Sequence, residues 1–521
     1  MSKLSEPPLD RHEIRVPSVS TSVTHVQDKD HQMPATSPMP TGGEGESAIP
    51  SDKEQEALEN SEDDWEHDPV NPRNWSSGKK WTAIAIVSFY TFIPPLASSM
   101  MAPGLPKVAE KFDITNPTIL AMTLSIFLIS FALGPLFIAP LSEMYGRTWV
   151  LHIANLVFLA FNLGCAFSPT TGSLIAFRFL AGWAGSAPIA IGGGSVSDVF
   201  SERERAGAMA LYSLGPLIGP VIGPIAGGFI AETVGIKWVF VVIGVLCGVS
   251  ALIGIPLLRE TYSPVIRLRL ARKSRDPEKA ALQHPTLVAA QQSKWYILWI
   301  NLSRPAMMLA RSFICFVLSL YMALIYGIYY LMFTTFPTLF SDTYHFSIGV
   351  SGLAYIGLGF GFISSTMFSA KLLNGMYTKL ADKNGGKGTP EMRIPALIIG
   401  SLFVPVGLLW YGWSAQAKIH WIMPIIGSAI FGFGLMTTYL PIQLYLVDAF
   451  TYAASAVSAA AVFRSLLGFA FPLFGEQMYA KLGYGGGNSL LAGLAIVIGI
   501  PFPIWIWYKG EEMRKRSPLT R

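Results

Sequence analysis

The sequence predicts an all-α, polytopic membrane protein whose spans fall six and six about a polar insert. Three observations predict it. Of 521 residues, 51% are hydrophobic and only 14% charged, where soluble domains carry about 25% charged residues; the mean hydropathy is +0.44. Apolar runs long enough to cross a bilayer as helices, roughly 20 residues each, recur from Trp81 onward. Polar residues collect in a tail, 1–78, rich in Ser, Pro, Asp and Glu, and in a basic insert, 259–304. That composition in the tail predicts disorder.

Apolar length and polar breaks place the spans near 81–101, 118–140, 149–168, 172–197, 207–231 and 237–258. After the insert come 312–339, 349–373, 395–414, 420–446, 453–480 and 487–508. The chain thus divides into a tail (1–78), a first half (79–258), the insert (259–304), a second half (305–508) and a short C-terminal tail (509–521). No cleavable leader precedes Trp81, so the first span serves as the insertion signal.

Positive charge collects in cytoplasmic loops. The insert holds Arg267, Arg269, Arg272, Lys273, Arg275 and Lys279, and Arg514-Lys515-Arg516 follows the last span. Arg147, Arg203, Arg205, Lys379, Lys383, Lys387 and Arg393 lie in loops on the same side. Lys107, Lys111, Lys237, Lys418 and Lys481 fall on the other. Both termini are therefore expected in the cytoplasm. The sequons at Asn74 and Asn301 lie on that side and should stay unglycosylated.

Several chemistries find no support. Cys165, Cys247 and Cys315 lie in separate spans, and the histidines are scattered, so neither a disulfide framework nor a metal site is implied. The sequence holds no P-loop, HExxH or GxSxG. GLGFGF at 357–362 sits inside a span with no strand before it, which suits close helix packing rather than a dinucleotide. The expectation is no catalytic residue, no cofactor and no nucleic-acid partner.

Polar residues inside or beside the spans are the functional candidates. Between spans 2 and 3, APLSEMYGRTWVL places Glu143, Gly146 and Arg147 in a tight turn. Asp198, at the same end of span 4, is positioned to join Glu143 and Arg147. An ordinary topology-setting loop is the alternative. Arg178 lies well inside span 4, where an arginine is expensive and usually faces a cavity or a partner; snorkelling to the head groups is the alternative. Arg464, in VFRSLLGFAFP of span 11, is a second intramembrane arginine. In span 7, Tyr326, Tyr330 and Phe333 share one helical face among Tyr321, Tyr329 and Phe336. Such rings suit bulky, weakly polar ligands, or equally a lipid-facing belt.

Span 5 carries GPLIGPVIGPIAGG. A spacing of four keeps Gly215, Gly219, Gly223 and Gly227 on one helical stripe, ending in Gly228, with Pro216, Pro220 and Pro224 on the next. Glycine permits backbone-to-backbone approach. The prolines leave the carbonyls of Tyr212, Pro216 and Pro220 without their helical donors, so that face should be buried in protein or line a cavity. Tight packing without mechanism is the plain alternative.

These stretches carry a family resemblance. LSEMYGRTWVL, RFLAGWAGS and GPLIGPVIGPIAGG are similar to three successive signature motifs of the drug:proton antiporters of the major facilitator superfamily. DPVNPRNWSSGKKW, RETYSPVIRLRLARK and LYMALIYGIYYLMFTTFPTLF resemble landmarks of its fungal multidrug and secondary-metabolite branch. The loop motif departs from the family pattern at Ala139, Glu143 and Thr148, where the family usually has Gly, Asp and a second basic residue.

The resemblance implies two six-helix bundles around a central cavity, driven by a proton gradient and exporting hydrophobic or amphipathic molecules such as drugs, toxins or secondary metabolites across the plasma membrane. It also implies a monomer. Residue by residue, it implies a conformational charge relay at Glu143, Gly146, Arg147 and Asp198, and proton coupling through Arg178. Gly215 through Gly228 would form a bending seam between the halves. Tyr326, Tyr330 and Arg464 are the substrate-binding candidates read from the residues themselves. The proton carrier is open among Asp198, Glu143, Glu476 and Asp448. An organic-acid exporter is the rival reading, with Arg178 and Arg464 as counter-charges. A non-transporting receptor or sensor is the rival from another class.

Overall fold

The computed structural model describes residues 65–201, 204–273, 294–517 and 519–520. The predicted disorder of 1–64, Arg203, Arg275 and Lys279 lie outside the described residues. Residues 65–78 are folded. The Asn71 side chain accepts the Arg73 amide to start the short turn Pro72–Asn74, and Asn71 itself is buried. The tail therefore ends earlier than its composition suggested.

Among the described residues, eleven helices are long and apolar enough to cross a membrane, with a shorter apolar helix at Ser455–Ala470. Together they supply the twelve spans. Span 1 is Ser77–Ser99, span 2 Pro117–Tyr145 and span 3 Arg147–Ala166. Span 5 is Arg205–Thr233 and span 6 Ile236–Leu257. In the second half, span 7 is Phe313–Tyr344, span 9 Ile394–Gln416 and span 10 Ile422–Ala449.

The remaining spans are broken where the sequence supplies a breaker. Span 4 consists of Thr171–Gly185 and Ala187–Val199, with Pro188 in the first turn of the second piece. Span 8 is Ile348–Leu353 followed by Ile356–Lys383. Span 11 stops at Ala470 and restarts at Pro472, whose ring fits the first helical turn. It then turns into span 12 at Gly483, where φ is +69°, a conformation open to glycine. The final helix is Pro501–Lys515. An internal proline does not by itself break a span, as spans 1, 2, 7, 9 and 10 show, and span 5 is the most proline-rich case. Its three prolines sit inside one continuous helix, because membrane helices hold freed carbonyls against protein rather than water.

Spans 1 and 7 occupy the middle. Each has 83% of its most apolar window buried, against 39% for spans 3 and 5. The halves touch chiefly through span 2 against span 11 and span 5 against span 8. At the end remote from the termini, the Thr118 hydroxyl donates to the Leu473 carbonyl at 3.1 Å. Gln477 donates to Thr118 there at 2.9 Å. Glu232, at the same end, accepts the Gly349 amide at 2.8 Å and the Ser347 hydroxyl at 3.2 Å. This end of the molecule is drawn shut.

Candidate functional site

At the termini end of the first half, Gly146 joins spans 2 and 3 at φ +101°. Any side chain there would run into the carboxylate of Glu260. That closeness is the reason for the turn. Glu260 accepts the amides of Arg147 at 2.8 Å and Thr148 at 3.4 Å, capping the start of span 3. Arg147 Nε donates to Asp198 at 3.3 Å, Nη1 donates to Ser142, and the guanidinium lies 4.7 Å over the Tyr262 ring. Burial, then the nearby charge of Glu143, pushes the Tyr262 phenol up. Glu143 itself is exposed and makes no ion pair among the described residues. The expected trio of Glu143, Arg147 and Asp198 is therefore corrected to Arg147, Asp198 and Glu260. One turn past Glu143 the helix has carried that side chain to the outside, and the carboxylate that completes the cluster arrives from beyond span 6.

The second half builds a counterpart. Arg393, before span 9, donates to Asp448 at the end of span 10 at 3.1 Å. Arg514 binds Glu391 through two nitrogens, at 2.7 and 2.9 Å, and Tyr445 donates to the same carboxylate. In the sequence reading Glu391 carried no role, Glu260 entered only within the RETYSP landmark, and Arg514 only as a topology-setting charge. A carboxylate within a few residues of a basic span end was the only signal available.

Arg178 is fully buried and makes no snorkelling contact. Its guanidinium donates to the carbonyls of Ala97 at 3.1 Å, Leu124 at 3.3 Å, and Ser98 and Thr123 at 3.4 Å. Phe127 lies 4.8 Å beneath it. Oxygen dipoles thus replace a counter-ion, and one side chain ties spans 1, 2 and 4 together.

The glycine stripe of span 5 packs on span 1. A Cβ on Gly215 would stand 2.9 Å from the Phe92 nitrogen, and one on Gly219 2.9 Å from the Leu96 nitrogen; on Gly227 it would overlap the Met100 carbonyl. Spans 1 and 5 belong to the same half, so the expected seam between the halves is corrected for most of the stripe. Gly228 alone crosses, meeting the Ile348 carbonyl. The contact between halves instead lies on the neighbouring face of span 5, where glycines of span 8 receive it. Gly352 abuts the Pro224 carbonyl and Gly359 the Val221 side chain. Which of two adjacent stripes faces the other half depends on helix rotation, which spacing alone leaves open.

In the centre, Tyr326, Tyr330 and Arg464 come together as anticipated. Arg464 lies 4.6 Å over the Tyr326 ring and donates to the Tyr439 hydroxyl at 2.8 Å. Gln443 donates to the same hydroxyl at 2.8 Å. Tyr326 and Tyr330 have ring centroids 5.0 Å apart. Tyr330 reaches the Ser98 hydroxyl at 3.2 Å, and the Ser98 carbonyl is one of the oxygens around Arg178. A polar path therefore runs between the halves from the buried Arg178 to the half-buried Arg464. Leu128 of span 2 approaches Gly468 beside Tyr326. Phe333 stacks on Tyr330, whereas Tyr329 and Phe336 turn into the second half against Phe362 and Tyr355.

The four carboxylates left open as proton carriers now separate. Asp198 and Asp448 are held by Arg147 and Arg393, and Glu143 is exposed. Among the described residues Glu476 accepts only the Thr338 hydroxyl, at 3.1 Å. It lines a cavity of about 260 Å³ between the halves, with Pro117, Thr334 and Asp342.

Comparison with known proteins agrees with this architecture. The chain is 46% identical over 484 residues to the MFS-type transporter atr4 of Stereocaulon alpinum, covering 90% of this chain and 85% of that one. It is 44% identical over 453 residues to the efflux pump vrtL of Penicillium aethiopicum, covering 86% and 89%. The E. coli xylose transporter XylE, in a partially occluded inward-open conformation, shares the fold with a TM-score of 0.60. That match has 13% identity and covers 83% of this chain and 98% of XylE. The sequence profile of the Major Facilitator Superfamily matches residues 87–472, so that twelve spans, two halves and a polar centre between them are those of a membrane transporter, and the chain belongs to that superfamily.

Proposed function

We propose that the chain is a proton-coupled antiporter that exports hydrophobic or amphipathic small molecules across the plasma membrane, as a monomer with both termini in the cytoplasm. The observation that carries this reading is the central cluster of Arg464, Tyr326, Tyr439 and Tyr330. It gathers rings and hydrogen-bonding groups from spans 7, 10 and 11 and meets the first half through Ser98 and Leu128. The remote end is latched by Glu232 and Thr118, and in this reading the cluster is served from the termini side. Relatives that carry the name efflux pump support the direction of transport.

Opening the remote end requires Glu232 to release Gly349, and span 5 to slide on the glycines of span 8. Arg147–Asp198–Glu260 and Arg393–Asp448 then brace the termini ends of the two halves. Glu476 is the carboxylate best placed to carry the proton, because it has no cationic partner among the described residues and lines the cavity between the halves. Purified protein in sealed liposomes tests the reading. A pH step, more acidic on the remote side, should drive amphipathic dyes across the bilayer. Failure of every dye to move under either polarity would refute transport. Movement without any response to pH would refute proton coupling alone.

A further inference from the structure

Arg464 is held by a hydroxyl and two rings, and by no acid. Among the described residues its one hydrogen-bonded acceptor is the Tyr439 oxygen, through Nη1. Its Nε is buried and bonded to nothing. Tyr326 lies 4.6 Å below the guanidinium plane, and the Tyr439 ring is at 5.4 Å. A buried donor left without an acceptor is destabilising, and a buried cation without a counter-ion more so. The arrangement is stable only because rings and one oxygen partly compensate it.

Arg178 makes the contrast. It too has no acidic partner, but carbonyls of spans 1 and 2 occupy its Nε, Nη1 and Nη2. Its positive charge reaches the centre while its hydrogen bonds are spent. The two arginines are joined through Ser98 and Tyr330. Among the described residues, the middle of the protein therefore carries two positive charges, no paired carboxylate, and a buried, unsatisfied Nε–H beside an aromatic face.

From this we propose that the substrates are weak organic acids bound as anions. Their oxyanion, a carboxylate, phenolate or enolate, accepts from Arg464 Nε, and their conjugated or aromatic body packs along Tyr326 and Tyr330. The inference rests on the transporter reading and narrows it. A guanidinium suits a flat, delocalised anion because its donors lie in one plane and its face stacks on rings. The same field excludes lipophilic cations, so Arg464 is the residue that sets charge specificity. Phe333, stacked on Tyr330, extends the apolar wall for the rest of the ligand.

Two dyes with one ring system and opposite charge test the proposal: fluorescein, an anion at neutral pH, and rhodamine 123, a cation. Binding to the purified full chain in detergent is read by fluorescence anisotropy, which needs no transport. Wild type should bind fluorescein at least tenfold tighter than rhodamine 123. In Arg464→Gln the ratio should fall toward one, and Arg464→Lys should keep most of it. Equal or reversed affinities in wild type, binding of neither dye, or an unchanged ratio in folded Arg464→Gln would overturn the proposal. If Arg464→Gln does not fold, the wild-type ratio and Arg464→Lys decide the matter. Charge-selective binding without flux in liposomes would sink the transporter reading and spare this one; flux of both dyes alike would do the reverse.

Discussion

Spans 1 and 5 of the first half hold the same ordinal places as spans 7 and 11 of the second, yet the two pairs are built from opposite materials. Span 5 meets span 1 through glycines that bring Gly215 and Gly219 against the backbone of Phe92 and Leu96. Span 11 meets span 7 through Arg464, Tyr326 and Phe471, with Gly327 and Gly468 receiving the rings. Removing side chains makes a backbone-to-backbone contact that tolerates no expansion and holds spans 1 and 5 together. Filling the same place with rings and a guanidinium makes a surface with chemical preference. One half is thus made to move as a unit, and the other to recognise.

The largest expected effect tests the glycine contact. Gly219→Leu places a branched side chain where there is room for none, and overpacking of this kind costs about 1–3 kcal/mol even for smaller additions. Transport in liposomes should fall below a tenth of wild type while the protein still reaches the membrane. Gly468→Ala in the second half should do far less, because its nearest neighbours are side-chain edges of Tyr326 and Leu128 rather than backbone; equal damage at both glycines would erase the distinction drawn between the pairs.

A comparable loss is expected at the proton step, but of a different kind. Glu476→Gln should abolish transport driven by a pH step while leaving exchange of labelled for unlabelled substrate. Loss of exchange as well would assign Glu476 to the ligand or to packing rather than to the proton.

The charge clusters sharpen the comparison further. Glu260→Gln leaves the capping amides of Arg147 and Thr148 facing a neutral acceptor. Hydrogen bonds to charged groups contribute about 1.5–3 kcal/mol, so denaturation should occur several degrees lower. Arg514→Gln, which strips Glu391 of two bonds, should match it in the second half. Unequal losses would mean that the two clusters brace their halves differently. The smallest effect belongs to Glu143→Gln. Exposed and unpaired, this side chain should change stability by less than about 0.5 kcal/mol, and a transport defect there would restore it to the relay.

Much of the site was legible from residue type. Arg178 and Arg464 announced themselves because a cation in an apolar run needs a reason, and Tyr326 and Tyr330 because helical spacing places them on one face. Glu143 was misread because a loop motif names neighbours in sequence, whereas Gly146 turns the chain between them. The pairings of Glu260, Glu391 and Arg514 escaped notice because each finds its partner 113 or 123 residues away, a distance over which spacing carries no information.

By itself, the amino-acid order determined that this chain crosses the membrane twelve times, in two groups of six, since span length and loop charge are local properties measured against a bilayer of given thickness. It determined as well that span 5 would bear one stripe of glycine beside one of proline. Tertiary structure decided which stripe meets which helix, because that depends on the rotation of each helix about its own axis. It alone decided that Arg178 spends its donors on carbonyls while Arg464 keeps its Nε unpaired, because hydrogen-bond partners are set by which backbones are brought within about 3 Å.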